Sequence, residues 1–120
     1  MSLKTLVIGA SINPSRYSNK AVKKLLENKV EVKALGIKKG TILDVDIVTT
    51  KEAFENIHTV TLYLNAKNQE EYYNYIVSLK PKRVIFNPGT ENIAFEKILA
   101  NNAIKFEQAC TLVLLSIGAY

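Results

Sequence analysis

Short apolar runs alternate along this chain with stretches in which apolar residues recur every three or four positions. Residues 3–8 form an apolar run interrupted by Lys4, the pattern of a buried strand. From residue 18 to 28 the period becomes helical: Ala21, Val22, Leu25 and Leu26 share a face, and Ser18 stands where an N-cap is needed. Residues 30–35 predict a second strand and 47–48 a short third one. Thr49-Thr50-Lys51-Glu52 has the form of a capping box, predicting a brief helix over 49–56. Residues 59–64, rich in β-branched and aromatic side chains, predict a fourth strand. A helix follows over 66–79, with Tyr72, Ile76 and Leu79 inward and Pro81 beyond its end. Residues 83–86 predict a fifth strand. Thr90 then caps a helix over 91–101 that buries Ile93, Ala94 and Ile98. Residues 104–107 predict a sixth strand, and 111–117 a closing apolar helix or turn.

This β-α-β-α order predicts an α/β, three-layer Rossmann-like fold: a mostly parallel sheet of five to six strands with helices on both faces. With 120 residues and no linker, repeat or low-complexity segment, residues 1–120 are expected to form one domain. In such a fold the ligand crevice lies at the carboxyl ends of the strands, near the switch in strand order. The loops after strands one, two, four and five meet there.

Composition narrows the partners. Hydrophobic residues make up 48% and charged residues 22%, as in soluble globular domains. No apolar stretch approaches the roughly 20 residues that span a bilayer, and residues 3–10 lack a cleavage signal, so no membrane partner and a cytoplasmic location are expected. The single Cys110 excludes an intramolecular disulfide framework and supplies no metal-ligand spacing. The net charge of +5 favours phosphate-bearing partners, but it is dispersed, with neither the basic stripe nor the reading motif that nucleic acid calls for. One polyphosphate ligand suits it better.

The crevice loops carry the candidate chemistry. In the first, Gly9 permits close backbone approach to a phosphate, and the next helix aims its free N–H groups at the same place. Ala10 and Ser11 follow, Ser11, Asn13 and Ser18 add donors, and Arg16 can fork onto a phosphate. This is an incomplete G-x-G-x-x-G pattern, and a tight turn with a capped helix accounts for it equally well. After strand two, where an acid would hold a ribose diol, stand Lys38 and Lys39 between Gly36 and Gly40. They disfavour NAD and fit the extra phosphate of NADP or coenzyme A, with a solvated basic turn as the plain alternative. After strand five, Asn87-Pro88-Gly89 builds a rigid turn exposing backbone amides, with Asn92 beyond it, and Asn65-Ala66 lies at the same edge.

Other residues read as structural. His58 precedes strand four, away from the crevice, as a surface or packing residue. Asp44 and Asp46 belong to a turn, and Tyr72, Tyr73 and Tyr75 have the spacing of packing residues. No triad order, paired carboxylate motif or metal cluster is visible, so catalytic residues are not assigned and an enzyme is the less favoured reading. Cys110 reads as a small buried hydrophobe; near the crevice it could form a mixed disulfide with a cofactor thiol.

Val7-Ile8-Gly9-Ala10-Ser11 with Pro14 and Arg16, the Lys38-Lys39 turn, the Asn87-Pro88-Gly89 loop and the late Cys110 together resemble the stand-alone CoA-binding domain family, similar to the N-terminal domain of the succinyl-CoA synthetase α subunit. The resemblance spans about residues 3–117. It implies that the first loop and the loop after strand five hold nucleotide and pyrophosphate, with a lysine after strand two near a phosphate. Carried over by position, the cofactor-binding residues are Gly9, Ala10, Ser11, Asn13, Arg16, Lys38, Lys39, Asn87, Pro88 and Gly89. Two positions depart from the pattern: Gly36-Ile37-Lys38 replaces the common Asn-Pro-Lys, and Thr111 stands where a proline often follows the cysteine. The expected function is binding of coenzyme A or an acyl-CoA. The alternatives are an NADP-linked oxidoreductase or redox sensor on the same fold, and an interaction protein with a vestigial pocket whose segment 112–117 forms a homodimer interface.

Overall fold

A computed structural model describes residues 3–120, so residues 1–2 of the expected domain lie outside it. Seven strands form one sheet: β1 (Thr5–Ile8), β2 (Val32–Leu35), β3 (Gly40–Ile42), β4 (Val45–Val48), β5 (Thr59–Leu62), β6 (Arg83–Phe86) and β7 (Lys105–Gln108). Their order is β3-β4-β2-β1-β5-β6-β7, parallel throughout except for the antiparallel β3–β4 pair. From β1 the chain builds outward through β2 on one side. It then returns to place β5 on the other, so strand order switches between β1 and β5.

The strands are short apolar runs because both faces are covered. Leu6, Ile8, Val60, Leu62, Val84 and Phe86 share a core with Ile76, Phe95 and Leu99, which come from α3 (Tyr73–Leu79) and α4 (Ile93–Asn101). Phe95 lies edge-on to Phe86 at 5.9 Å and stacks on Tyr73 at 4.4 Å. On the opposite face Val7, Ala34 and Ile47 meet Val22 and Leu25 of α1 (Tyr17–Glu27) and Leu115 of α5 (Thr111–Ser116). The three-layer α/β architecture is therefore as expected. The sheet gains a seventh strand because Gly40–Ile42 folds back on β4 around a turn at Leu43 and Asp44, with Leu43 in the left-handed region at φ 54°.

Part of the second face is polar. There β5 offers Thr59 and Thr61, both fully buried, where an apolar strand would offer Val or Ile. The Thr61 and Thr111 hydroxyls meet at 2.8 Å, and Asn87 joins them: its Nδ2 donates to Thr61 Oγ1 and to the Leu62 carbonyl, while its Oδ1 accepts from the Thr111 amide. The start of α5 is thus held by directional bonds as well as by packing.

Four local expectations are corrected. Residues 49–56 form no helix; the segment is an irregular loop with bends at Thr50, Glu55 and Asn56, tied by Lys51 to the Glu71 carbonyl and by Tyr75, whose hydroxyl donates to the Glu52 carbonyl at 2.6 Å. The predicted 66–79 helix is broken into α2 (Ala66–Gln69), a 3-10 turn (Glu70–Tyr72) and α3. The break follows Gln69, which turns fully inward to donate to the Leu64 and Thr90 carbonyls. Thr90 does not cap α4, because its hydroxyl donates back to the Asn87 carbonyl; Asn92 caps instead, accepting from the Phe95 amide at 3.0 Å. That shift turns Phe95 and Leu99 inward and leaves Ile93 and Ala94 exposed. Ser18 is not the cap of α1 either: Arg16 holds that position with no side-chain cap bond.

Candidate functional site

At the carboxyl edge of the sheet, where the order switches between β1 and β5, a cleft of about 680 Å³ opens between the β1–α1, β2–β3, β5–α2 and β6–α4 loops. That volume is in the range of small-molecule sites, and the position is the one the fold favours for ligands.

Backbone approach makes the cleft. Gly9 leaves β1 at φ +94°, and a Cβ there would come within 2.7 Å of the Tyr63 carbonyl oxygen. A Cβ on Gly36 would likewise press on the Ala10 carbonyl. Gly9 and Ala10 both donate their amides to the Leu35 carbonyl, fastening the first loop to the end of β2. Further along, Ser11 Oγ accepts from the Asn13 amide, and Asn13 Oδ1 accepts from the Ser15 amide and hydroxyl. Asn19, buried in α1, donates to the Ser11 carbonyl while its Oδ1 has no protein partner. On the far wall Asn87-Pro88-Gly89-Thr90 is a type II-like turn: the Thr90 amide bonds the Asn87 carbonyl at 2.9 Å, and Gly89 supplies φ +90°. The Gly89 amide donates to the Glu91 carboxylate at 3.0 Å.

The lining is electropositive. Arg16 and Lys38 border it, and no aspartate or glutamate lines it among the described residues. The first turn of α1 faces it without a side-chain cap, whereas α2 and α4 are capped by Asn65 and Asn92. Uncapped amides and the positive end of the helix dipole both favour an anion. Three apolar side chains form a rim: Ile12, Tyr17 and Ile37 are 56%, 68% and 84% exposed. Tyr63 closes the base, its hydroxyl buried beneath it, and burial pushes the phenol up to about 12.

Of the residues expected at the site, Gly9, Ala10, Ser11, Asn13, Arg16, Lys38, Pro88 and Gly89 line the cleft together. Lys39 stands outside the lining, and Asn87 is buried in the polar layer under α5, where its side chain is consumed by protein partners. Cys110, half-buried at the start of α5, is not among the lining residues. His58 stands at the opposite edge of the sheet. The apolar rim and Tyr63 were not anticipated; exposed apolar residues inside a polar loop were the signal available for Ile12 and Ile37.

Comparison with known proteins places the family and the fold. A model of the family described as a CoA binding domain matches residues 4–116. A crystal structure described as that of an uncharacterized protein is 47% identical, over 100% of this chain and 99% of that one, with a TM-score of 0.97. A hypothetical protein from Pyrococcus horikoshii OT3 is 24% identical over 93% of this chain and 80% of its own, with a TM-score of 0.85. The cell-free ID.343 protein from Thermus thermophilus is 18% identical over 99% and 91%, at a TM-score of 0.87. The last two are similar in fold. No curated protein gives a significant match.

Proposed function

The chain belongs to the CoA binding domain family, and from that premise we propose that it is a small-molecule binding module for coenzyme A or an acyl-CoA. The observation that carries this reading is the cleft at the strand-order switch, which joins an uncapped helix N-terminus, two cations and no carboxylate. In this reading the pyrophosphate lies over the first-loop amides from Gly9 to Ser11 and the first turn of α1, with Arg16 forking onto it. Lys38 meets the 3′-phosphate, and Lys39, outside the lining, adds field without contact. Ser11 and Asn13 add polar contacts, while Pro88 and Gly89 form the facing wall that Asn87 holds in place from below. The apolar rim of Ile12, Tyr17 and Ile37 covers the carbon-rich parts of the ligand.

Thermal-shift screening with CoA, acetyl-CoA, NAD(H), NADP(H) and ADP tests the proposal. A ligand at 100 times its Kd stabilises the fold by about 2.7 kcal/mol. CoA and acetyl-CoA are expected to raise Tm. A response to NADP without one to CoA would transfer the site to redox chemistry. Silence to every nucleotide, with concentration-dependent dimerisation, would favour the interaction reading through the exposed Val113 and Ile117 of the C-terminal segment.

A further inference from the structure

The opposite edge of the sheet carries a second cleft, of about 530 Å³, lined by His58, Lys82, Arg83, Lys105, Phe106 and Glu107. Thr59, Arg83 and Lys105 are the first residues of β5, β6 and β7 and lie in register, forming one row across three neighbouring strands. Like charges directly opposite one another on adjacent strands destabilise a sheet. Here Arg83 and Lys105 are such a pair, with Lys82 beside them. Glu107 is the single carboxylate of the lining, 3.7 Å from Arg83 and beyond hydrogen-bond reach. Among the described residues, neither Lys82 nor Lys105 enters an ion pair.

The row is also held in a fixed geometry. Arg83 donates from Nε and NH2 to Thr59 Oγ1, at 3.2 and 3.1 Å, and its guanidinium lies over the Tyr120 ring at 4.5 Å. Arginine can only donate, so the Thr59 oxygen is the acceptor, and the same oxygen lies 2.8 Å from His58 Nδ1. The His58 pKa lies below the ordinary histidine value, first through burial and then through Arg83 and Lys82. The guanidinium edge is held by Thr59 and its face by Tyr120, while NH1 faces Glu107 Oε1 at 3.7 Å, too long for a hydrogen bond.

We propose that this amino-terminal cleft is a second anion site, taking a phosphate-class dianion between Lys82, Arg83 and Lys105. It is separate from the CoA cleft: four-residue strands of about 3.3 Å rise per residue lie between them. The dianion relieves the Arg83–Lys105 opposition and leaves the Glu107 contact in place. Inorganic phosphate and a phosphomonoester share this chemistry.

His58 is the only histidine of the chain, which makes it an unambiguous reporter. Its ring signals are followed by NMR through a pH titration of the full chain, with and without inorganic phosphate, against sodium chloride at matched ionic strength. Phosphate is expected to raise the His58 midpoint saturably, by about one unit, as an opposite charge at contact distance does. The double variant Lys82→Gln/Lys105→Gln is expected to lose that rise while keeping the thermal response to CoA. Glycerol 3-phosphate binding more tightly than phosphate identifies an ester as the source, and equal binding identifies the free ion. A shift no larger than that of chloride, or one retained in the double variant, overturns the site. A response to an acidic polymer with none to phosphate overturns it as well. A missing CoA response with an intact phosphate response counts against the first cleft alone.

Discussion

Gly36 and Ala10 meet backbone to backbone, so that a β-carbon on Gly36 would press on the Ala10 carbonyl oxygen and also touch Ile47 at 3.1 Å. This seam joins the loop after β1 to the loop after β2, the two sides of the cleft that carry Arg16 and Lys38. Neither neighbour is the free end of a flexible side chain, so the backbone must move. Gly36→Ala is expected to cost about 1–3 kcal/mol in stability and to weaken CoA binding by parting the two loops. Urea unfolding and calorimetric titration of the same variant check both effects; unchanged affinity would detach the seam from the site.

The Asn87 side chain is spent on Thr61, Leu62 and Thr111, which sets its expected phenotype. Asn87→Ala leaves the Thr111 amide and the Leu62 carbonyl without their partners in a buried layer. Each orphaned group costs about 1–3 kcal/mol. A large loss of Tm is expected, with hydrogen exchange faster at the start of α5 than in α3. A variant with wild-type Tm and poor CoA binding would return Asn87 to the ligand.

Lys38 and Arg16 are separable by ligand choice. If Lys38 meets the 3′-phosphate, Lys38→Ala reduces the preference for CoA over dephospho-CoA roughly tenfold, about 1.4 kcal/mol, while Arg16→Ala weakens both ligands alike. Calorimetry of two ligands against three proteins reads this directly. Both losses should shrink as salt rises, because these side chains are exposed.

The gate-like contact of Glu91 gives a gain-of-function test. Its carboxylate accepts from the Gly89 amide, on the wall of the cleft. Glu91→Gln keeps the shape and removes a negative charge beside an anion site. Tighter CoA binding is expected, by a few fold for one charge at surface dielectric, and weaker binding would mean that the carboxylate shapes the turn the ligand needs.

Alkaline stability follows from the tyrosines. Burial pushes Tyr63 and Tyr75 up to about 12, whereas an unfolded phenol ionises near 10. The unfolded chain therefore releases its protons first. Stability is complete below about pH 10 and falls as pH rises from about 10 toward 12. Urea midpoints across that window should decline, and Tyr63→Phe should decline less steeply.

Much of the fold was legible because parallel strands buried on both faces read as plain apolar runs; Leu6–Val7–Ile8 and Val84–Ile85–Phe86 needed no tertiary information. The loops of the cleft were legible for a related reason, since Gly9 and Pro88-Gly89 announce turns. What escaped depended on distant partners. The edge strand Gly40–Ile42 has one buried side chain, and its turn uses Leu43 in a conformation for which Asn or Gly is the usual signal. Asn87 resembled a ligand donor until Thr61 and Thr111, far away in sequence, were brought against it. The Thr49–Glu52 pattern satisfied a capping rule, but Lys51 and the Glu52 carbonyl are held by Glu71 and Tyr75, far along the chain.

The bare start of α1 makes robustness and activity compete at a single residue. Arg16 occupies the cap position and its side chain leaves the first-turn amides unbonded. A serine or aspartate there would satisfy one of them and add about 1 kcal/mol to stability, while removing the guanidinium and, with aspartate, opposing the ligand's charge. A screen for heat resistance alone would therefore select Arg16→Ser or Arg16→Asp and, on the proposed reading, discard binding without any sign of damage, whereas a screen for retention of ligand would keep the weaker helix.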